Sequence, residues 1–143
     1  MIICGVELTG SDAVISLLGL ERGQFNVPEC RVRKLTLKKA YLREDLQQFQ
    51  FAFSKLMQDY DVKKVVIKER LTKGKFAGGA VSFKLESAIQ LIAEVDVTMA
   101  TPALMKSTMS EHPLPIPFSE TGLKVFQEAS FNAAYVAHML SQE

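Results

Sequence analysis

Glu7 and Glu69 each mark an apolar run, and Glu128 and Asn132 share a helical stretch further on; side chains of these types can hold a metal ion or move a proton if a fold brings them together. Glu7 interrupts Ile2-Ile3-Cys4-Gly5-Val6-Glu7-Leu8, and Glu69 closes Val65-Val66-Ile67-Lys68-Glu69. Glu128 and Asn132 are four residues apart, hence on one face of a helix. An acid within an apolar strand is costly unless a partner or ligand meets it. If the two strands pair in parallel, Glu7 and Glu69 become neighbours, and the last helix can add Glu128 and Asn132. Such a set supplies the hard oxygen ligands that Mg²⁺ or Mn²⁺ takes, and two such ions activate water and stabilise the leaving oxygen in phosphodiester cleavage. The plainer alternatives are a solvent-facing strand-end acid for Glu7, charge balance by Lys68 or Arg70 for Glu69, and a solvated helix face for Glu128 and Asn132.

A second group is suited to binding. Arg70, Lys73, Lys75 and Phe76 form a basic loop with one aromatic, able to follow a phosphate backbone while the ring stacks or wedges; a plain surface loop is the alternative. The formal net charge of +1 hides an asymmetry. Residues 31–84 carry fourteen Lys and Arg against five Asp and Glu, and residues 85–143 carry two against seven. A basic segment holds polyanions because neutralised phosphates release their counterions. Other chemistries are disfavoured. Gly74, Gly78 and Gly79 have neither the spacing nor the Lys-Ser/Thr ending of nucleotide-binding loops. His112 and His138 each lack a second histidine nearby, and Cys4 and Cys30 lack metal-ligand spacing and read as small hydrophobes.

Residues 2–8 and 13–18 read as strands joined by the turn Thr9-Gly10-Ser11-Asp12, and residues 30–38 as a third, edge strand studded with cations. From Leu42 the period becomes helical, with Leu46, Phe49, Phe53, Leu56 and Tyr60 on one face. A strand at 62–69, a helix after Gly78-Gly79 and a short strand at 96–100 follow. Thr101-Pro102 is an N-cap with proline at the first helical position, opening a short helix through Met105. Ser119 is placed as the cap of a final helix whose face includes Val125, Phe126, Ala129, Ala133, Val136, Ala137 and Leu140. The 143 residues, 48% hydrophobic and 23% charged, suffice for one core, so a single domain over 1–143 is expected. With no apolar run of membrane-spanning length and no leader signature, no membrane association and a cytoplasmic location are expected.

Strand, strand, strand, helix, strand, helix, strand, helix is the order of a five-stranded mixed sheet flanked by helices, and it matches the ribonuclease H-like fold. The residues also resemble the RuvC-type Holliday-junction resolvases of that superfamily. Gly5-Val6-Glu7-Leu8-Thr9-Gly10-Ser11 looks like their first-strand motif, hydrophobic-Gly-hydrophobic-Asp-x-Gly-Ser, with Glu7 where Asp is expected. Val66-Ile67-Lys68-Glu69-Arg70, then Ser82-Phe83-Lys84-Leu85 and Ala88-Ile89-Gln90-Leu91-Ile92-Ala93, is similar to the strand-four Glu, its loop and the following helix. Thr101-Pro102-Ala103-Leu104-Met105-Lys106 resembles the region after strand five, which also carries a lysine in that family. Glu128-Ala129-Ser130-Phe131-Asn132-Ala133-Ala134-Tyr135-Val136-Ala137 looks like the last-helix motif Asp-x-x-Asp-Ala-hydrophobic-Ala. Asn132 then holds the second acid's place and Ala129 the first, with Glu128 one residue away and about 100° around the helix.

The resemblance implies a divalent-metal-dependent nucleic-acid phosphodiesterase acting through Glu7, Glu69, Glu128 and Asn132, with Mg²⁺ or Mn²⁺ on the three glutamates and branched DNA or RNA as partner. The departures weaken that acidic site. The alternative is a module that keeps the fold without the chemistry, binding partners or associating with itself as a homodimer, its acidic C-terminal portion against the basic middle of another copy. An uncharacterised bacterial family with this fold is a further expectation.

Overall fold

A computed structural model describes residues 1–39, 42–71 and 78–142. The order of elements is β1 (Ile2–Thr9), β2 (Asp12–Glu21), β3 (Gln24–Asn26), β4 (Lys34–Thr36), α1 (Arg43–Asp59), β5 (Lys64–Lys68), α2 (Ala80–Gln90), β6 (Asp96–Ala100), α3 (Pro102–Glu111) and α4 (Glu128–Ser141). Among the described residues these strands form one mixed sheet, in the order β3-β2-β1-β5-β6, with β4 also paired to β2. β1 and β2 are an antiparallel hairpin in unbroken register from Ile2↔Gly19 to Thr9↔Asp12. β1 pairs with β5 in parallel, and β5 with β6 likewise. This is the expected α/β architecture of a ribonuclease H-like fold.

Period-two alternation splits the core across the sheet. Cys4, Val6, Leu8, Ile15, Leu17, Val65 and Ile67 face α1 and α2, meeting Phe49, Phe53, Leu56, Leu85 and Ile89. Ile3, Leu18 and Val66 face the other way, toward α3 and α4, and meet Met105, Phe131, Ala133, Ala134 and Val136. α4 lies unusually close on this second face. A Cβ built on Gly5 would stand 1.8 Å from the Ser130 carbonyl oxygen, so only glycine lets helix and strand approach this far. Ser16 and Ser130, both buried, touch Oγ to Oγ at 2.6 Å, and Gln127 Nε2 donates to the Ile15 carbonyl at 2.9 Å. These bonds satisfy polar groups that burial would otherwise leave unpaired.

Several boundaries differ from the sequence reading. The expected strand at 30–38 is only Lys34–Thr36, and an extra strand, β3, forms because Arg22 (φ 51°) and Gly23 (φ 79°) make a tight hairpin turn with both φ positive. The Thr101 cap is present, its side chain accepting from Leu104 N–H at 3.1 Å, but α3 runs on to Glu111. The last helix does not start at Ser119. Two 3₁₀ turns, Phe118–Glu120 and Val125–Gln127, precede it, separated by Gly122 at φ 82°. Val125 and Phe126 therefore lie outside α4 and are exposed, and Leu140, near the end of α4, is exposed as well. Among the described residues no helix is long and apolar enough to cross a membrane.

Candidate functional site

Glu7 sits on β1 on the α4 face, one position past the pair Val6↔Ile67, which brings it beside Lys68 of β5. The two form an ion pair, Lys68 Nζ to Glu7 Oε2 at 3.6 Å, with side chains 35% and 24% exposed. On its other side Glu7 is paired with Val14, and Val14 with Lys34 of β4. A row of Lys68, Glu7, Val14 and Lys34 thus crosses the sheet at the end where β1 and β5 finish.

Strand pairing puts the expected neighbours in parallel but selects the adjacent residue. Glu69 continues the extended backbone, its N–H donating to the Ala100 carbonyl at 2.8 Å. Alternation then turns its exposed side chain to the face opposite Glu7, since one residue of register exchanges the two faces. Glu128 is exposed at the start of α4, and Asn132, one turn on, is half-buried with Oδ1 enclosed and without a hydrogen-bond partner. Among the described residues, which include all three glutamates, no group of three His, Cys, Asp or Glu side chains could hold a metal ion.

The expected Mg²⁺ or Mn²⁺ was placed on Glu7, Glu69 and Glu128, and the side chains present do not fit it. An ion bound within about 2.6 Å of Glu7 Oε2 would lie no farther than about 6 Å from the Lys68 ammonium. At that separation a divalent and a monovalent cation repel by about 1 kcal/mol in water and about 6 kcal/mol at an effective dielectric near 20. Glu7 already has its counter-charge. The feature that the sequence alone does not disclose is this role for Lys68: counting by two from Val66 reaches Lys68, not Glu69, but only the register with β1 puts Val66 on the face of Glu7.

Arg70, expected to meet phosphate, is committed elsewhere. Its guanidinium, 12% exposed, lies 3.2 Å from Glu86 Oε1, donates from Nε to Ser82 Oγ at 3.1 Å and stacks over Phe83 at 4.5 Å. Together with Gly78 N–H donating to the Leu71 carbonyl at 2.8 Å, it ties the two ends of the following loop to α2. Lys73, Lys75 and Phe76 of that loop lie outside the described residues. A groove of about 530 Å³ lined by Leu46, Phe83, Ala88 and Leu91 lies between α1 and α2, and holds none of the four expected site residues.

A group of exposed cations lies toward the same end of the sheet as Glu7. Arg31, Lys34, Lys55, Lys63, Lys68 and Arg70 all have acidic partners. Arg33, Lys38, Lys39 and Arg43 are exposed and have no acidic partner among the described residues. β4 runs from Lys34 to Thr36 toward the β1–β2 turn, and Leu37 N–H donates to the Ser11 carbonyl at 2.8 Å. Lys38 and Lys39 therefore leave the sheet where β1 ends, and Arg43 begins α1 there.

The fold is shared with solved structures at low identity. The Thermus thermophilus RuvC structure superposes with TM-score 0.75 at 12% identity, covering 99% of this chain and 96% of that one. T. thermophilus RuvC in complex with Holliday junction substrate gives TM-score 0.73 at 9% identity, over 99% and 95%. The Fowlpox virus resolvase in its complex with substrate Holliday junction DNA gives 0.55 at 11%, over 97% and 99%. No curated protein matches the sequence. The model for the family described as protein of unknown function (DUF3010) matches residues 1–137, from the first strand through the Glu7–Lys68 pair to the helix bearing Asn132, and the chain belongs to that family.

Proposed function

We propose that this protein is a nucleic-acid-binding module built on the RuvC-like fold, and that it binds without metal-dependent cleavage. The observation that carries the reading is the placement of charge. The sheet and the β4–α1 connection bring Lys38, Lys39 and Arg43 to the end where β1 and β5 finish. In open α/β sheets, ligands bind outside the carboxyl ends of the strands. Solved neighbours of the same fold are found with Holliday junction DNA, which supports nucleic acid as the polyanion. Among the described residues no three acids gather where the expected phosphodiesterase site of Glu7, Glu69, Glu128 and Asn132 would stand, which supports binding over cleavage.

Fluorescence anisotropy with labelled four-way junction, duplex and single-stranded DNA and duplex RNA tests the reading. Binding is expected at low salt and should weaken as salt rises, and each phosphate contact removed should lower the slope of log K against log salt by about 0.9. Lys38→Glu with Lys39→Glu should weaken binding to every probe alike, since backbone contacts carry no sequence information. Absence of binding to all four probes at low salt sinks the proposal and favours the self-association module. Cleavage of any probe in Mg²⁺ or Mn²⁺ that Glu7→Gln abolishes restores the nuclease reading.

A further inference from the structure

We infer that the Lys68 ammonium takes the place of a metal ion beside Glu7, so that this end of the sheet receives a polyanion with no divalent cation present. The consequence for nucleic acid rests on the function proposed above; the substitution of ammonium for metal does not. A cluster of carboxylates repels phosphate and accepts it only when a cation has neutralised the cluster. Here the cation is covalently part of β5. Lys68 is the last residue of that strand, parallel pairing fixes it alongside Glu7, and its Nζ lies 3.6 Å from Oε2. The nearby acid on this face, Asp12, has its own cation, Lys34, at 3.9 Å. Across the sheet from Glu7 stands Val14, the half-buried side chain on α4 is the neutral amide of Asn132, and Glu69 is turned to the other face. The Glu7 carboxylate therefore already faces a cation built into the chain, and no ion has to be recruited before a phosphate approaches.

Two measurements on the full chain test this. Mn²⁺ is titrated calorimetrically into the wild type, Lys68→Glu and Lys68→Gln, and each form is assayed for binding a labelled four-way junction in EDTA and in Mn²⁺. The wild type should take up no Mn²⁺ at concentrations up to about 1 mM, and its junction affinity should agree within about twofold between the two buffers. Lys68→Glu, which sets two carboxylates side by side, should gain Mn²⁺ binding, and its junction affinity should become at least about tenfold tighter in Mn²⁺ than in EDTA. Lys68→Gln removes the ammonium without adding repulsion and keeps the test decisive if the glutamate variant does not fold; it should gain weaker Mn²⁺ binding. Wild-type uptake of Mn²⁺ at micromolar concentrations, or folded variants that gain none, overturns the inference. Failure of every form to bind the junction in either buffer rejects the nucleic-acid reading, while the calorimetry still decides what Lys68 does.

Discussion

His138 shows how a single buried ring ties stability to pH. It is 2% exposed, with Nε2 2.6 Å from the Leu18 carbonyl. A carbonyl oxygen can only accept, so Nε2 carries a proton, and burial favours the neutral form of the ring. Burial holds its pKa below the ordinary histidine value; the Leu18 contact opposes that shift, and the Met1 amino group and Lys64 add to it. Above about pH 6.5 the ring is neutral in the folded and unfolded chains alike and its titration contributes nothing. As pH falls through that value the unfolded chain takes up a proton that the folded chain refuses, and stability is lost at up to about 1.4 kcal/mol per pH unit. The urea midpoint should be level from about pH 8 to 7 and fall below about 6.5, with the fall reduced in His138→Gln; an equal fall in both forms removes His138 as its cause. The same scale shows what the sequence could disclose. An acid in an apolar strand had to have a partner, and Glu7 has one. Which neighbour would serve was not legible, because Lys68 and Glu69 are adjacent and only the register with β1 decides between them. Arg70 was legible as a cation, but its burial depends on Ser82 and Glu86, one helix further on.

At the level of elements, the contact between α4 and β1 sets the tolerance of the sheet to change. A methyl group on Gly5 meets backbone, the Ser130 carbonyl at 1.8 Å and the Ala134 nitrogen at 2.9 Å, so no side-chain rotation relieves it. Gly19 provides the comparison, since a methyl group there meets only the side chain of Asn26, on the three-residue strand β3. Gly5→Ala should cost about 3 kcal/mol or more and Gly19→Ala under about 1 kcal/mol. Thermal unfolding of the two variants measures the contrast, and equal melting temperatures would show that α4 yields freely. Central elements were the readable ones: β1, β2, α1 and β5 carry long runs of one period. The misread elements turn on local backbone geometry. Arg22-Gly23 makes a hairpin that composition does not announce, and Gly122 divides what looks like one helix from Ser119 into two 3₁₀ turns and α4.

Across the whole molecule, connectivity places the two ends of the described chain against each other. β1 and β2 are complete by residue 21, yet the face that carries Ile3, Leu18 and Val66 is covered by α4, whose first residue is Glu128. The charge asymmetry was legible from composition, whereas its gathering at one end of the sheet required the strand order β3-β2-β1-β5-β6. A chain ending at residue 127 should keep the hairpin and α1 but leave that face bare; it should bind the dye ANS and lose cooperative thermal unfolding. A sharp melting transition in that truncated chain would mean that α4 is dispensable. The late arrival of α4 also bears on biosynthesis. At usual elongation rates of about 5–20 residues per second, roughly 5–20 s separate the emergence of β2 from that of the helix that covers it. During that interval the nascent chain displays an apolar sheet surface that the finished molecule hides, and it is this surface that ribosome-associated chaperones would meet.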